Sequence, residues 1–260
     1  MIKLIVSDID GTLLPDGGHD LNPELFSVIS ELRERGIQFA SATGRQWKSI
    51  DTIFAPIKEK IFYISDNGAY VGCAARNLEL FPMERELVLD MIKDIRETGL
   101  GILLSGPDIA YIESNDEEWY HSLVHGYKFH VERVLDLTKV DDAFIKISIY
   151  RKSNVESAVQ ELRRKYEDKV KIAIAGDQWM DCMACGVNKG HAVKLLQESL
   201  GISPKETMAF GDQMNDVEML QQAYYSFAVG NARSEVKAAA RFQADRNTQD
   251  GVLKILKLLL

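Results

Sequence analysis

The chain has 260 residues, of which 46% are hydrophobic and 27% are charged, a balance typical of a globular protein and not of extensive disorder. Its formal net charge of −8 disfavours a nucleic acid or an anionic membrane surface as a partner. No apolar run approaches the ~20 residues that span a bilayer. The apolar N-terminal segment breaks at Asp8, too early for a secretory signal, and the three cysteines then favour a reducing, cytoplasmic setting.

The first group of candidate functional residues follows the first predicted strand. The apolar, β-branched start of the chain predicts a buried strand, and Asp8, Asp10, Gly11 and Thr12 come directly after it. Unpaired buried carboxylates are costly, and a bound Mg²⁺ offsets that cost because it prefers hard oxygen ligands. The same residue types are also common in polar turns. This stretch alone therefore leaves a metal site and a turn as equal alternatives.

Strands and helices alternate in the first part of the chain. After a polar turn at residues 15–22, a capping asparagine and a proline predict a helix that begins near Asn22, and Gly36 ends it. Apolar runs predict short strands at 37–42 and 61–64, with a helix at 46–55 between them. This alternation indicates right-handed βαβ units and a parallel sheet.

The middle of the chain has a different pattern, which favours strands of mixed direction. Its predicted elements are helices at residues 84–98, 116–125 and 155–166 and strands at 101–104, 110–112, 143–150 and 170–175. We therefore expect a second, α+β domain at residues 83–185, inserted into a first domain that comprises residues 1–82 and 186–260.

The first pattern returns after Gly186. A helix is predicted at residues 188–200, strands at 207–210 and 226–229, and helices at 235–240 and 252–260. The last helix has only about nine residues, so packing on the sheet is favoured over lying on a membrane surface.

Three predicted strands end on polar side chains of the kinds that enzymes use. They are Asp8 and Asp10 after the first strand, Thr43 and Arg45 after the second, and Asp212, Asn215 and Asp216 after the strand at 207–210. The carboxyl ends of parallel strands lie at one edge of a sheet, where ligands bind in open α/β sheets. Lys189, near a predicted helix start, can reach the same crevice. Each feature is weak alone, but together they supply carboxylates, a hydroxyl and a cation.

In these motifs the chain resembles the haloacid dehalogenase superfamily, and within it the Cof-type phosphatases with a large inserted C2-type cap. The segments that carry the resemblance are DIDGT at 8–12, TGR at 43–45, NKG at 188–190 and GDQMND at 211–216, in the order of the family's motifs. Residues 67–69 and 230–232 also look like this subfamily. The resemblance implies an α/β fold with a Rossmann-like parallel-sheet core, in which residues 83–185 form an α+β cap that sets substrate specificity.

The resemblance and the chemistry of the residues together imply a two-step phosphoryl transfer. Asp8 is the expected nucleophile, and Asp10 the expected general acid and base. Mg²⁺ is the expected cofactor, held by the Asp8 carboxylate, the Asp10 backbone carbonyl and Asp212. The residues expected to bind the substrate phosphate are Thr43, Gly44, Lys189 and Asn215, with Thr12, Arg45 and Asp216 in supporting positions. Arg45 either binds substrate or braces its loop.

The predicted function is that of a Mg²⁺-dependent phosphatase of small phosphorylated metabolites. Sugar phosphates are the first expected substrates, followed by flavin mononucleotide and pyridoxal phosphate. Two alternatives stay open: a phosphotransferase or mutase that resembles phosphomannomutases, and a phospho-accepting signalling module. The expected partner is a small phosphate ester, with no nucleic acid and no membrane, and the chain is expected to be a monomer or a homodimer.

Two other patterns are set aside, and a third is left open. Cys182 and Cys185 form a CxxC pair, but a structural zinc site needs four ligands and no suitably spaced second pair is present. His121 and His125 lack the glutamate that metalloprotease motifs place after the first histidine. Residues 178–181 either reach the leaving group or belong to the core and surface of the cap.

Overall fold

A computed structural model describes residues 1–15, 20–74, 76–175 and 177–260 of the chain, so residues 16–19 of the turn predicted at 15–22 lie outside the described residues. The strands in these residues are β1 (Leu4–Ser7), β2 (Gln38–Ala42), β3 (Phe62–Ser65), β4 (Tyr70–Cys73), β5 (Arg76–Leu80), β6 (Gly101–Ser105), β7 (Ala110–Ile112), β8 (Val131–Arg133), β9 (Lys146–Tyr150), β10 (Lys171–Ala175), β11 (Trp179–Met183), β12 (Thr207–Gly211), β13 (Tyr225–Ala228) and β14 (Phe242–Gln243). The α-helices are α1 (Pro23–Glu34), α2 (Trp47–Ile53), α3 (Arg85–Thr98), α4 (Glu117–His121), α5 (Val155–Ala158), α6 (Gln160–Tyr166), α7 (Lys189–Leu200), α8 (Val217–Gln221), α9 (Ser234–Ala239) and α10 (Gly251–Lys257).

The larger of two sheets in the described residues has the strand order β14-β13-β12-β1-β2-β3-β4-β5. Neighbouring strands from β14 to β3 are parallel, and β1 lies between β12 and β2. Leu4 is opposite both Thr207 and Gln38, so these three strands run side by side toward the same edge of the sheet. The predicted α/β fold with a parallel-sheet core is confirmed.

The strands β4 and β5 have no counterpart in the sequence prediction. They extend the sheet beyond β3 in antiparallel pairing. The strand β5 is exposed or half-buried along its length and lacks the apolar run that marks a buried strand. Its pairing with β4 also shifts register between Val71 and Gly72 of β4. The chain reverses direction at Asp66 and Asn67, which have positive φ angles of 48° and 56°.

The second sheet has the order β10-β11-β9-β6-β7-β8 in the part of the chain that the structure describes. Its pairing is antiparallel except between β7 and β8. These strands lie within the range expected for the inserted α+β domain, whose limits stay a prediction. Two of the predicted helices are not continuous α-helices. The helix predicted at 155–166 is interrupted at Val159, where φ is −104°. The helix predicted at 116–125 is α-helical only in α4 and continues as a π-helix, Ser122–Gly126.

Helices cover the larger sheet with their apolar faces. All four residues of β1 are buried, and α1 adds Leu25, Val28, Ile29 and Leu32 to the same core. Asn22 caps α1, because its side chain accepts a hydrogen bond from the Glu24 amide at 3.0 Å.

The last helix, α10, packs into this core with Val252, Leu253 and Leu256. This agrees with the prediction, made from the short length of the helix, that it packs on the sheet. None of the helices in the described residues combines the length and the apolar character needed to cross a membrane.

Leu4→Ala is expected to lower the free energy of unfolding by about 2–5 kcal/mol, because Leu4 is fully buried at the centre of the sheet. Leu258→Ala is the matched control, since Leu258 is 79% exposed and its loss should change stability by less than about 0.5 kcal/mol. Urea denaturation followed by circular dichroism measures both. Equal losses in the two variants would contradict the central position of β1.

Candidate active site

A buried lysine connects two of the predicted site carboxylates. Lys189 begins α7, and its Nζ lies 2.7 Å from Asp8 Oδ1 and 2.6 Å from Asp216 Oδ1. The side chain is only 1% exposed. Asn188 caps this helix start, because its side chain accepts a hydrogen bond from the His191 amide at 2.8 Å. Lys189 therefore joins the ends of β1 and β12 to the start of α7.

The loop after β12 is organised by Asp216. Its Oδ2 atom accepts hydrogen bonds from the backbone amides of Asp212 and Gln213, at 2.9 Å each. Asp212 Oδ1 accepts a hydrogen bond from the Thr12 hydroxyl at 2.8 Å. A Cβ atom at Gly11, where φ is +83°, would overlap the Asp212 carboxylate, so this position requires glycine. Thr12 and Asp216 thus hold Asp212 in place from two sides.

Three carboxylates share this buried space with one ammonium group. Asp8, Asp212 and Asp216 each offer an oxygen, and these atoms lie within 4.8 Å of one another. Burial raises the pKa of Asp8 well above its ordinary value, while Lys189 opposes the shift and Asp216 adds to it. Burial, and then the Asp216 charge, raise the pKa of Asp212 to about 7. Burial lowers the pKa of Lys189, but Asp216 and Asp8 outweigh it and raise that pKa.

This set of donors fits a small divalent cation. Carboxylate oxygens are ligands that Mg²⁺ prefers, and three carboxylates around one ammonium leave excess negative charge. Both oxygens of Asp216 are already bound by Lys189 and by backbone amides. Asp8 and Asp212 are therefore the side chains best placed to hold an ion. Across the described ranges, no other group of three His, Cys, Asp or Glu side chains converges in this way.

Asp10 is not part of this carboxylate group and is paired with Arg45. Arg45 Nε and Nη2 donate to the two Asp10 carboxylate oxygens at 2.7 and 2.6 Å, a bidentate arrangement. Arg45 Nη1 also donates to the Tyr127 carbonyl at 3.1 Å and to the Ser49 hydroxyl at 3.3 Å. Burial lowers the pKa of Arg45, but Asp10 outweighs it and raises that pKa. Of the two roles left open for Arg45, these contacts favour bracing.

Thr43, Gly44 and Asn215 meet at Asn67, which follows β3. The Thr43 carbonyl accepts a hydrogen bond from the Asn67 amide at 3.0 Å. A Cβ atom at Gly44 would approach the Asn67 side chain to 3.3 Å. Asn215 Nδ2 donates to Asn67 Oδ1 at 2.9 Å. Asn67, which the sequence marks only as similar to the subfamily, therefore lies among three residues expected to bind phosphate.

A second buried ionic group crosses from the six-stranded sheet to the larger one. Lys146 on β9 places Nζ 2.8 Å from Asp66 Oδ1 and donates to the Gly44 carbonyl at 2.6 Å. Asp181 on β11 accepts a hydrogen bond from Asn67 Nδ2 at 2.6 Å. Burial lowers the pKa of Lys146, while Asp181 and Asp66 outweigh it and raise that pKa. The sequence signal was a lysine inside the apolar run at 143–150.

Two asparagines hold the loop that follows Asp10. Asn231 Nδ2 and Asn247 Nδ2 donate to the Gly11 carbonyl at 2.7 and 3.0 Å. Asn231 lies in the segment 230–232 that resembles the subfamily, whereas Asn247 carried no sequence signal.

A cleft of about 350 Å³ reaches Lys189 and Asn215 from the side of β10. Lys171 on β10 places its Nζ 2.5 Å from Glu218 Oε1 on α8, so an ion pair of two lining residues connects the six-stranded sheet to α8. The other lining side chains include Arg163, Arg233, Glu156, Glu235, Ile172, Ile174, Met183 and Met214. The volume lies within the range of small-molecule sites, and most of the lining side chains are charged or polar.

The cysteine and histidine pairs lie outside this arrangement. Cys182 is buried on β11 and Cys185 is exposed. His121 and His125 are exposed and pack on each other, with ring centroids 4.3 Å apart. Neither pair belongs to the converging group of carboxylates.

Comparison with known protein families identifies the chain. A family model described as haloacid dehalogenase-like hydrolase matches residues 5–256. The chain belongs to this family. The match spans all four motifs, so the resemblance stated from the motifs is confirmed, as is the prediction that the chain is an enzyme.

The hydrolase is similar over most of its length to named relatives. It is 27% identical over 261 residues to the 5-amino-6-(5-phospho-D-ribitylamino)uracil phosphatase YbjI of Escherichia coli K12, covering 100% of this chain and 96% of the relative. It is 29% identical over 248 residues to an HMP-PP phosphatase of Escherichia fergusonii, covering 92% and 88%. A crystal structure from Eubacterium rectale is 37% identical with a TM-score of 0.89, covering 100% and 99%.

In the absence of divalent cations, the free energy of unfolding of the hydrolase is expected to fall as the pH rises toward and through about 7. The sign follows from Asp212, whose pKa is raised from its ordinary 3.8 to about 7 in the folded chain. The folded state therefore binds that proton more tightly than the unfolded state, and its loss destabilises the fold. Added Mg²⁺ should reverse the loss above pH 7.

Urea midpoints across this pH range, with EDTA or with Mg²⁺, measure the effect. Asp212→Asn removes one of the two carboxylates with a raised pKa and should make the slope shallower, whereas the exposed Asp168→Asn should keep the wild-type slope. Identical slopes in the two variants would contradict the assignment to Asp212.

Proposed function

We propose that this hydrolase is a Mg²⁺-dependent phosphatase of small phosphorylated metabolites that works through a phosphoaspartyl intermediate on Asp8. The observation that carries the proposal is the buried contact of Lys189 with Asp8 and Asp216, beside Asp212. Burying such a group is costly unless cations balance it. The relatives named as phosphatases of a phosphoribityl compound and of HMP-PP support the same class of reaction.

Asp8, Asp212 and the Asp10 backbone carbonyl would hold Mg²⁺. When bound, the ion supplies positive charge that offsets the repulsion between Asp8 and an anionic ester. Thr12 and Asp216 keep Asp212 in position for this role. The Lys189 ammonium neutralises part of the Asp8 charge in the same space.

In the first step, a carboxylate oxygen of Asp8 attacks the phosphorus atom, and the bond from phosphorus to the ester oxygen breaks. Asp10 gives its proton to that oxygen, so the alcohol leaves uncharged. Negative charge develops on the phosphoryl oxygens, and the groups proposed to bind them are Thr43, Gly44, Lys189 and Asn215.

In the second step, Asp10 accepts a proton from a water molecule while the water oxygen attacks phosphorus. The bond from phosphorus to Asp8 breaks, inorganic phosphate leaves, and both aspartates return to their starting states. Arg45 binds both oxygens of Asp10. At least one of these bonds is therefore broken when Asp10 carries the proton that it gives to the ester oxygen.

The inserted α+β domain, residues 83–185, is proposed to cover the site and to contact the leaving group. Two of its hydrogen bonds reach residues of the proposed site. Lys146 donates to the Gly44 carbonyl, and the Tyr127 carbonyl accepts a hydrogen bond from Arg45. The cleft beside Lys189 has a volume suited to a small metabolite. Sugar phosphates are the first candidates, followed by flavin mononucleotide, pyridoxal phosphate and the compounds for which the relatives are named.

A screen of phosphorylated metabolites for phosphate release in the presence of Mg²⁺ tests this class of function. Equal amounts of inorganic phosphate and free alcohol support a phosphatase. Transfer of the phosphoryl group to a second sugar would identify a phosphotransferase or mutase instead. A phosphoaspartate that lasts for hours would identify a signalling module.

Asp8→Asn is expected to keep the fold and to lower kcat on the order of 10³-fold or more, because an amide is a poor nucleophile. Steady-state hydrolysis of p-nitrophenyl phosphate and a thermal melt measure the two properties. The exposed Asp20→Asn is the control and should keep wild-type kcat. Substantial turnover by folded Asp8→Asn would refute the nucleophile assignment.

A further inference from the structure

Asp181, Asn67 and Asn215 form a chain of hydrogen bonds. Asn67 Nδ2 donates to Asp181 Oδ2 at 2.6 Å, and Asn215 Nδ2 donates to Asn67 Oδ1 at 2.9 Å. Asp181 and Asn67 are buried, with 4% and 1% of their surfaces exposed. The chain of bonds thus leads from β11 in the six-stranded sheet, through the turn after β3, to the loop after β12.

The direction of each bond is set by Asp181. A carboxylate only accepts hydrogen bonds, so Asn67 has to turn its NH₂ group toward Asp181. The side-chain carbonyl oxygen of Asn67 then faces Asn215, which has to donate a hydrogen bond from its own NH₂ group. One proton of that group is used in the bond, and the second proton and the carbonyl oxygen of Asn215 are left for other partners. Within the described residues, Asn215 Oδ1 is buried and has no hydrogen-bond partner.

Asp181 is itself held as an acceptor. Ser148 Oγ donates to its Oδ1 atom at 2.6 Å, and Lys146 Nζ lies 3.7 Å from its Oδ2 atom. Both carboxylate oxygens therefore face donors of the same sheet as well as Asn67. Lys146 also bonds to the Gly44 carbonyl, which seats this part of the sheet on the phosphate-binding loop.

Asn67 is fixed in the position that this chain of bonds needs. Its backbone has a φ of +56°, a left-handed conformation that asparagine tolerates better than most residues. The next residue, Gly68, has a φ of +100°, and a Cβ atom there would overlap the backbone of Asn188. The turn is thus packed against the start of α7, where Lys189 lies.

We propose that Asp181 and Asn67 are positioning residues that orient the amide of Asn215 toward the substrate phosphate. The phosphate site then has its full affinity only while the inserted domain is seated on the core, although Asp181 does not touch the phosphate. This inference rests on the proposed function, because that function assigns Asn215 to phosphate binding.

Inorganic phosphate is the probe, and calorimetry in the presence of Mg²⁺ gives its Kd. Asp181→Asn presents both a donor and an acceptor, so Asn67 loses its fixed orientation and the Kd is expected to rise by about 3- to 10-fold. Asn67→Gly suits the left-handed backbone and should have the same effect. Tyr111→Phe is the control, because it removes a bond to Asp142 within the six-stranded sheet domain and should leave the Kd within about 2-fold.

Double variants separate orientation from a purely structural role. If Asp181 acts through Asn215, then Asp181→Asn has no further effect once Asn215→Ala has removed the amide. The double variant should therefore have the Kd of Asn215→Ala alone, and Asn67→Gly combined with Asn215→Ala should behave in the same way. Effects that multiply in both double variants would overturn the inference.

The inference and the proposed function fail in different ways. If the wild-type protein hydrolyses phosphate esters but the increases in Kd multiply in both double variants, the inference alone is overturned. The inference alone is also overturned if Asp181→Asn and Asn67→Gly bind phosphate with the same Kd as the control Tyr111→Phe. Wild-type protein that neither releases phosphate from any ester nor binds inorganic phosphate overturns the proposed function and the inference with it.

Discussion

The arrangement of the site depends on one buried ionic contact, that of the Lys189 ammonium with Asp8 and Asp216. Removing these charges from water is costly, and the cost is repaid only where the geometry satisfies them. Here Nζ lies 2.7 and 2.6 Å from the two carboxylate oxygens. The contact joins the carboxyl end of β1, the start of α7 and the loop after β12, although Asp8 and Lys189 are 181 residues apart. The side chains of the site therefore come together only when these three parts of the sheet domain are in place.

The same contact leaves the site with too little positive charge. One ammonium faces three carboxylates, and the raised pKa of Asp212 reflects the burial of that imbalance. A divalent cation would relieve it, and the proposed phosphate ester would then meet cations and hydrogen-bond donors on several sides. The six-stranded sheet adds a second buried ionic group at Lys146 and Asp66, next to Gly44. Lys146 contacts Gly44, and Lys189 is itself proposed to bind phosphate, so the two sheets meet where the chemistry is proposed to take place.

Part of this site could be predicted because parallel strands place their carboxyl ends together. Asp8 and Asp212 follow apolar strands that pair directly, and their motifs are local in sequence. The bond between Asp181 and Asn67 could not be predicted in this way. Its partners are 114 residues apart, and the face of β11 that meets the core is decided by long-range packing. The strand β5 was missed for a different reason, since three of its five residues are polar and exposed and it has no continuous apolar run.

Reductive trapping of the covalent intermediate tests the central claim most directly. The hydrolase is mixed with Mg²⁺ and an excess of a phosphate ester that it turns over, quenched in acid, treated with borohydride, and analysed by peptide mass spectrometry. Borohydride reduces an aspartyl phosphate to homoserine, and the account predicts this product at residue 8 alone. Reduction at Asp10, Asp212 or Asp216, or an unmodified Asp8 during continuous turnover, would contradict it.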